Sequence, residues 1–550
     1  MADYNKMVQD KKGEQSELLK RWIADEELLY LDKYIMKDSG DNVVPDIVNV
    51  TLNRPAVFAA NIIAALGTTS EQRVVESEDK NLDTTYIEDF QKRAFASANH
   101  RLRIQGKILL NPFFDTQFCI RGRGAARCLF QMVDDVLVAD IAPWDARYVT
   151  YEMGDNGLDW AAYETTRSKA MIEAEPWYKD DRRIKTNIPD KGAKVLEVWD
   201  TEHNEIWVAG KKVFEQPHPF DFCPVVIQIV PLGYGSILLG TNQMKNEGES
   251  IFFLMRDVNL ELNRLASIMQ TLNLKSVKPP IKQKKRGGGK PSKYEDVMDM
   301  GAATVMEPEE DIVPIDFGDA QKSANLAYGM MDTAIKEGSL SSADLGLIGS
   351  PPASGIRAII AGENKDQIVH PRLEAKGLIN TQLAEMFTRQ VILIGGSVDL
   401  GIPGHKRTFD VGKLEGEYET TYKYTAKSPV TDAGLYSLAA AAGDSLSKKY
   451  KRENIYQLQD PDGEEDQLRY EEAELLSPAI KMRRTIETLI KLDKGEEAEL
   501  MSDEMGVNLE QMLRGEPTQQ PKPEKAQEPK QVLPMWGGGG GQPRAEGGEE

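Results

Sequence analysis

Four aspartates around one apolar stretch, Asp134, Asp135, Asp140 and Asp145, are the residues best suited by type and spacing to catalysis. Grouped carboxylates can hold two divalent metals for phosphodiester hydrolysis, so a metal-dependent nuclease is one reading. The plainer reading of the same four is surface and turn acids around a buried strand. Other chemistries lack their residues. Cys119, Cys128 and Cys223 form no CxxC pair, and an odd count argues against a disulfide framework and for a reducing compartment. The five histidines (His100, His203, His218, His370, His405) form no HxxxH or HExxH pair, so no zinc site is expected. Gly287-Gly288-Gly289-Lys290 invites comparison with a phosphate-binding loop. Pro291 follows the lysine where Ser or Thr belongs, however, and Lys284 stands where the first glycine belongs. No Ser/His/Asp set stands out. The sequence leads us to expect no enzyme, and no catalytic residue, cofactor or metal.

The chemistry that remains is charge. From Lys275 to Lys293 there are eight bases and no acid, among them Lys278, Lys282, Lys284, Lys285, Arg286, Lys290 and Lys293. The whole 550-residue chain has a formal net charge of −21. A protein that grips DNA by neutralising phosphates is expected to be basic, and this one repels DNA on average. A solvated acidic surface explains that charge, and so does a protein that handles DNA without holding it. With 40% hydrophobic and 28% charged residues the composition is that of a soluble globular protein, and no run of about 18 apolar residues predicts a membrane span. The polar, mixed-charge start, Met1 to Gly13, carries no secretory signal.

The elements that position the basic run follow from periodicity. Helices are predicted over Glu14–Lys37, Arg54–Leu66 and Thr84–Leu110, the last stopped by Asn111-Pro112. A strand-rich stretch follows, with strands at Val133–Ile141, Arg147–Glu152, Trp160–Thr166, Val195–Thr201, Glu205–Val208 and Val225–Val230. Glu247–Leu272 is the cleanest helix. Ile251, Leu254, Val258, Leu262, Leu265, Met269 and Leu272 make an apolar stripe, with Arg256, Asn259, Asn263, Ser267 and Gln270 opposite. After the basic run come short strands at Ala303–Met306 and Ile312–Ile315, then a helix over Ala320–Glu337. A loop rich in Gly and Pro occupies 339–355. A long helix runs from Ile356 to Ile394, broken at His370-Pro371. Strands at Phe409–Leu414 and Tyr418–Thr425 precede helices over Asp432–Ser447, around Ile455 and over Asp466–Leu492. The segment Asp460–Leu475 holds eight acids and one base. The tail after Gly515, rich in Pro, Gln, Glu and Gly, is expected to be disordered.

The order of these pieces resembles the portal family of tailed bacteriophages, the head-to-tail connectors, over roughly Leu18 to Leu513. Local stretches are similar to that family's wing domain: Val138-Ala-Asp-Ile-Ala-Pro-Trp-Asp145, Asn156-Gly-Leu-Asp-Trp-Ala-Ala-Tyr163, Val198-Trp-Asp200, His218-Pro-Phe-Asp-Phe-Cys-Pro-Val225 and Gly248-Glu-Ser250. The resemblance implies an α+β, mainly α, portal fold assembled as a ring. It implies a wing over 1–245, stem helices over 246–272 and 319–338, a clip over 273–318 and a tunnel loop over 339–355. The kinked helix and return strands of the wing then fill 356–425, the crown 426–513 and a disordered tail 514–550. It also implies a dodecamer at one capsid vertex of the virion, assembled in the host cytoplasm, through which double-stranded DNA is packaged and ejected. The implied partners are the terminase motor, the major capsid or scaffolding protein and the head-tail adaptor, with no membrane. On the second stem helix Gln321, Asn325, Tyr328, Asp332 and Lys336 are the expected channel-lining stripe. Leu340, Asp344, Leu345, Leu347, Ile348 and Pro351 belong to the expected tunnel loop. The basic clip run either touches DNA at the exit, binds an acidic face of the motor or adaptor, or balances the acid of neighbouring subunits. Twelve copies bring about 250 formal negative charges into one ring, which favours weak contact with a passing duplex. The alternatives are another ring-forming head-tail structural protein and the nuclease above.

Overall fold

The computed structural model describes residues 3–79, 82–133, 136–155, 157–180, 182–231, 248–277, 281–285, 311–314, 320–337, 355–425, 436, 439–456, 458, 461–476 and 485. Two compact units divide the chain, Met1–Gly463 and Glu464–Glu550. The second is described only at 464–476 and Thr485.

The first unit is an α+β body. Its N-terminus is helical ahead of the first helix that the sequence predicted: α1 (Tyr4–Glu14) is capped by the Asp3 carboxylate, which accepts from the Lys6 N–H. Its buried Val8 packs with Trp160, Ala162, Leu196 and Val198 on one face of a sheet. α2 (Ser16–Tyr30) buries Leu18 and Trp22 but ends at Leu31, which adopts φ 56°, so Ile35 lies beyond the helix and is exposed. α3 (Arg54–Gly67) begins at Pro55 as expected. β1 (Ser70–Glu76) leads to α4 (Thr84–Ile104). The single helix predicted to Leu110 is two. Gly106, at φ +67°, closes α4, and α5 (Leu110–Ile120) restarts with Pro112 in its first turn, where no N–H is needed.

Two five-stranded sheets follow. β2 (Arg123–Val133) has no counterpart in the sequence reading, and β3 (Val136–Trp144) starts later and ends later than predicted. β4 (Val149–Gly154), β5 (Gly157–Arg167), β6 (Ala193–Asp200), β7 (His203–Val208) and β8 (Lys211–Pro217) form an antiparallel meander in chain order. A short α6 (Lys169–Ala174) lies between β5 and β6. β9 (Val225–Ile229) returns to pair with β2.

Next come α7 (Arg256–Val277), β10 (Ile281–Lys284), β11 (Asp311–Pro314), α8 (Ala320–Glu337), α9 (Gly355–Ile392), β12 (Ser397–Ile402), β13 (His405–Asp410) and β14 (Glu419–Thr425). Short helical turns over Gly443–Ser445, Lys448–Tyr450 and Lys451–Ile455, the last around the predicted Ile455, precede α10 (Pro461–Leu476). β12 and β13 complete the sheet in the order β13-β12-β3-β2-β9, and β14 pairs antiparallel with β1. α9 is continuous, not broken, with Pro371 inside it. The proline removes one ladder N–H, and next to it Arg372 Nη1 donates to the Ile368 carbonyl at 2.6 Å. The main core lies where α4, α5 and α9 cover this sheet, with Phe90, Phe114, Phe118, Phe387 and Phe409 all but fully buried.

Burial also explains the cysteines. Desolvation pushes the thiols of Cys119 and Cys223 up to about 12 and raises that of Cys128, so all three are packing groups and not nucleophiles. No helix among the described residues is long and apolar enough to cross a membrane. The strand predicted at Ala303–Met306, the start of the helix predicted at Asp432–Ser447, the end of the one predicted to Leu492, and the tail lie outside the described residues. The described part of the Asp432–Ser447 segment is helical only as far as Ala441 and continues as a 3-10 turn over Gly443–Ser445.

One backbone crossing fixes where the chain leaves the body. Gly122, at φ +61°, and Gly248, at φ +75°, meet face to face. A Cβ on Gly122 would sit 2.5 Å from the Gly248 carbonyl carbon, and one on Gly248 would sit 2.6 Å from the Gly122 oxygen. Gly122→Ala is therefore expected to lower stability by about 2–3 kcal/mol through overpacking and left-handed strain. Urea denaturation measures this, with Gly395→Ala, at φ +67° and with the space open, as the control for the left-handed term alone.

Candidate functional site

The first predicted stem helix begins nine residues later than the sequence suggested. Residues 248–255 are turns that bury Ile251, Phe252 and Met255 in the body, and α7 starts only at Arg256. Leu254, assigned to the apolar stripe, is 62% exposed. The helix also runs past Leu272 to Val277, because no breaker precedes Pro279.

Its root is held by buried charge. Arg256 Nε and Nη2 donate to the two oxygens of Asp25 at 2.7 and 2.9 Å, and Asp25 is wholly buried. Glu249 receives Arg21 and lies 3.7 Å from Arg256. Burial raises the Glu249 carboxyl, and the charges of Arg21 and Arg256 oppose that rise. Next to Asp25 in α2, Glu26 takes Arg121 on one oxygen and Arg147, at 2.5 Å, on the other. Arg121 also donates to the Trp22 carbonyl at 2.9 Å, while Trp22 Nε1 donates to the Arg121 carbonyl at 3.1 Å. Removing one partner of such a buried pair costs about 3–5 kcal/mol, because the other charge is left desolvated.

Much of the uncharged-polar side of α7, opposite the apolar stripe, is buried, with Gln270 exposed. Asn259, Asn263, Ser267 and Thr271 are at most 6% exposed. Against them lies the extended segment 48–52. The backbone N–H groups of Leu52, Val50 and Val48 donate to Asn263 Oδ1, Ser267 Oγ and Thr271 Oγ1 at 2.9, 2.9 and 3.0 Å. Ser267 and Thr271 in turn donate at 2.7 Å to the carbonyls of Asn263 and Ser267. The match is metric. Alternate residues of an extended chain advance about 6.6 Å, and residues four apart on a helix advance about 6 Å. The other residues of the segment bind a second layer, the N–H groups of Tyr34 and Met36 donating to Thr51 Oγ1 and Asn49 Oδ1 at 2.9 and 2.8 Å.

α8 packs beside α7. Val258 and Leu262 near the start of α7 join one core with Tyr328, Met331 and Ile335 near the middle and end of α8, together with Phe58 and Ile62 of α3. The two helices therefore run antiparallel, rooted in the body at the start of one and the end of the other. Beyond α7 and before α8 lie β10 and β11, paired antiparallel with Lys282 opposite Val313 and Lys284 opposite Asp311. Lys282 and Lys284 are exposed and Lys285 is half-buried. Lys278, Arg286, Lys290 and Lys293 lie outside the described residues, as do Leu340, Asp344, Leu345, Leu347, Ile348 and Pro351.

The expected channel-lining residues separate. Asn325 and Lys336 are exposed, and Tyr328 is half-buried against the shared core. Asp332 turns to α3, paired with Arg54 and with Lys336 at 2.8 Å. Partial burial disfavours its charge, but hydrogen bonds from Lys336 and Arg54 hold the carboxyl below its usual range. Gln321 lies in the first turn of α8. The side of α8 turned from the body instead presents Leu326 and Met330, each 68% exposed, and α7 presents Leu260 and Leu274 at 55% and 49%.

The aspartates read as a metal pair are otherwise engaged. Asp140 is paired with Arg101 at 3.3 Å and Arg127 at 3.2 Å, and Asp145 accepts from the Arg147 N–H at 3.0 Å. Asp134 and Asp135 lie outside the described residues. Among the described residues no group of three or more His, Cys, Asp or Glu is placed to hold a metal ion.

No family model matches this chain, and no curated protein matches it in sequence. Among solved structures it is similar to a chain in the neck of a native gene transfer agent (GTA) particle with C12 symmetry, at 12% identity and a TM-score of 0.37. That match covers 72% of this chain and 88% of the other. Chains in the neck of an empty GTA particle with C6 symmetry and in a native GTA virion match over the same shares, at 12% identity and a TM-score of 0.36.

The ladder on α7 gives a test of what holds that helix. Ser267→Ala leaves the Val50 N–H without its acceptor and is expected to cost about 1–3 kcal/mol. Hydrogen exchange at the amides of Val48, Val50 and Leu52 reads the local opening directly. Unchanged protection at Val50 would count against the ladder.

Proposed function

We propose that this chain is a portal-type ring subunit of a phage-like particle, a structural protein of the head-tail junction through which double-stranded DNA passes. The observation that carries the reading is the antiparallel pair α7 and α8. It is rooted in an α+β body at one end and flanks a small cationic β-hairpin at the other. In the ring the body is the wing, the helix pair the stem, and the β10–β11 module the clip. Residues 339–355 supply the tunnel loop and 426–513 the crown. Leu326, Met330, Leu260 and Leu274 are too many large apolar groups for a solvated helix pair, and twelve copies side by side cover them. Asn325 and Lys336 then stand nearer the bore than Tyr328 and Asp332, which serve to seat the stem on α3. The bases of the clip dock the terminase motor and later the head-tail adaptor by charge. A net charge of −21 per copy keeps the passage unattractive to a duplex.

Negative-stain images of the purified protein test the reading, the expected outcome being a ring with a central hole. Leu326→Glu combined with Met330→Glu is expected to give monomers with an unchanged far-UV spectrum. Rings persisting in that variant would remove the stem from the subunit contact, and a wild-type monomer at every concentration would remove the ring. Deleting Leu340 to Pro352 is expected to leave rings intact while DNA packaging or retention falls. Loss of the ring in that variant would refute the tunnel-loop role.

A further inference from the structure

Between Asp89 and Asp115 the chain has no acidic residue, although it has 88 elsewhere, and it carries Lys92, Arg93, Arg101, Arg103 and Lys107 there. The end of this stretch is the loop that closes α4. Seven residues in a row, 103–109, are exposed, and three of them are large and apolar: Ile104 at 73%, Ile108 at 61% and Leu109 at 39%.

The loop is held firmly. The Gly106 N–H donates to the Arg103 carbonyl at 3.1 Å and the Lys107 N–H to the Leu102 carbonyl at 2.9 Å, the paired bonds of a glycine-closed helix end. The Leu110 N–H donates to Asn99 Oδ1 at 3.0 Å. Leu102 and Leu110 on either side are buried in the main core. The exposed side chains therefore stand on a backbone that loses little freedom when something covers them.

The charge of the surface identifies what covers it. Arg101 is engaged by Asp140 and by Gln131, at 2.9 Å. Arg103 meets only His100, at 3.0 Å, and Lys107 has no acidic partner among the described residues. Cations near a helix C-terminus complement its dipole, which accounts for Arg101 and Arg103. It accounts neither for Ile104, Ile108 and Leu109 nor for the missing acids. Apolar side chains beside bases match one face of a helix whose leucines are flanked by carboxylates.

We propose that the loop Ile104–Leu109 is a docking surface for a short acidic amphipathic helix of another protein. The apolar side chains of that helix cover Ile104, Ile108 and Leu109, and its carboxylates pair with Arg103 and Lys107. The surface lies on the body and does not depend on the ring reading.

The test uses the full chain and a fluorescein-labelled synthetic helix with leucines at i, i+3, i+4 and i+7 and glutamates on both flanks. Its counterpart carries lysine for glutamate. Fluorescence anisotropy is expected to show saturable binding of the glutamate peptide only. Ile104→Asp with Ile108→Asp is expected to weaken binding by about tenfold or more, as is salt of about 1 M, which shortens the screening length to about 3 Å. Both positions are exposed, so a thermal melt matching that of the wild type certifies the fold. Equal binding of the two peptides, binding unchanged in the variant, or no binding overturns the proposal. Self-association of the wild type that Ile108→Asp abolishes, without peptide binding, overturns it in favour of a contact between copies of this chain.

Discussion

The first helix to leave the body, α7, is anchored by the carboxylate of Asp25. It has no contact with water and satisfies its charge with the two-point grip of Arg256, the first residue of α7. Such a pair is costly to bury and more costly to break, so its geometry has little latitude. The same small volume holds Arg21, Glu249, Glu26, Arg121 and Arg147. The glycine crossing at 122 and 248 brings the backbone beside Arg121 and Glu249 into contact at the edge of this cluster. The direction in which α7 leaves the body is thus set by α2, an element some 230 residues away in sequence.

Beyond that anchor α7 is stabilised in an unusual way for a long helix. One side packs on apolar groups of α3 and α8, as amphipathic helices do. Another side is polar and equally buried, and its partners are backbone amides of an extended segment. Hydroxyls suit this role because each accepts from the segment and donates to its own helix, so its proton and one lone pair are both used. The helix pair therefore has dry contacts along two sides, and the apolar groups left in solvent concentrate on the remaining surface.

Much of this was legible in the sequence, and the failures have physical causes. The helix–basic module–helix order around Lys282 could be read because apolar periodicity and a run of bases are local signals. The start of α7 could not. Ile251 and Leu254 fit the helical spacing, yet 248–255 folds as turns on the body, where tertiary packing overrides a matching period. β2 was invisible because Arg123 and Arg127 interrupt it; Arg123 is buried against the rings of Trp22 and Tyr151, and Arg127 is half-buried against Glu197, all far away in sequence. Pro371 looked like a break because a proline inside a helix usually costs its carbonyl partner. The site fared likewise. The stripe Gln321 to Lys336 was drawn from spacing alone, and spacing does not reveal that Arg54 draws Asp332 inward. Asn263, Ser267 and Thr271 carried a usable signal, polar residues without charge every fourth position, which a solvated face seldom shows.

The ladder has an evolutionary consequence. At Val48 and Val50 the contact with α7 is made by main-chain amides, while Leu52 adds its side chain to the core that holds Leu262. Any residue except proline supplies the same donor. The helix must keep an oxygen at three positions, while the extended segment that binds it is free to drift at Val48 and Val50 and is held at Leu52. Among descendants of this sequence the two halves of one contact are therefore expected to diverge at different speeds.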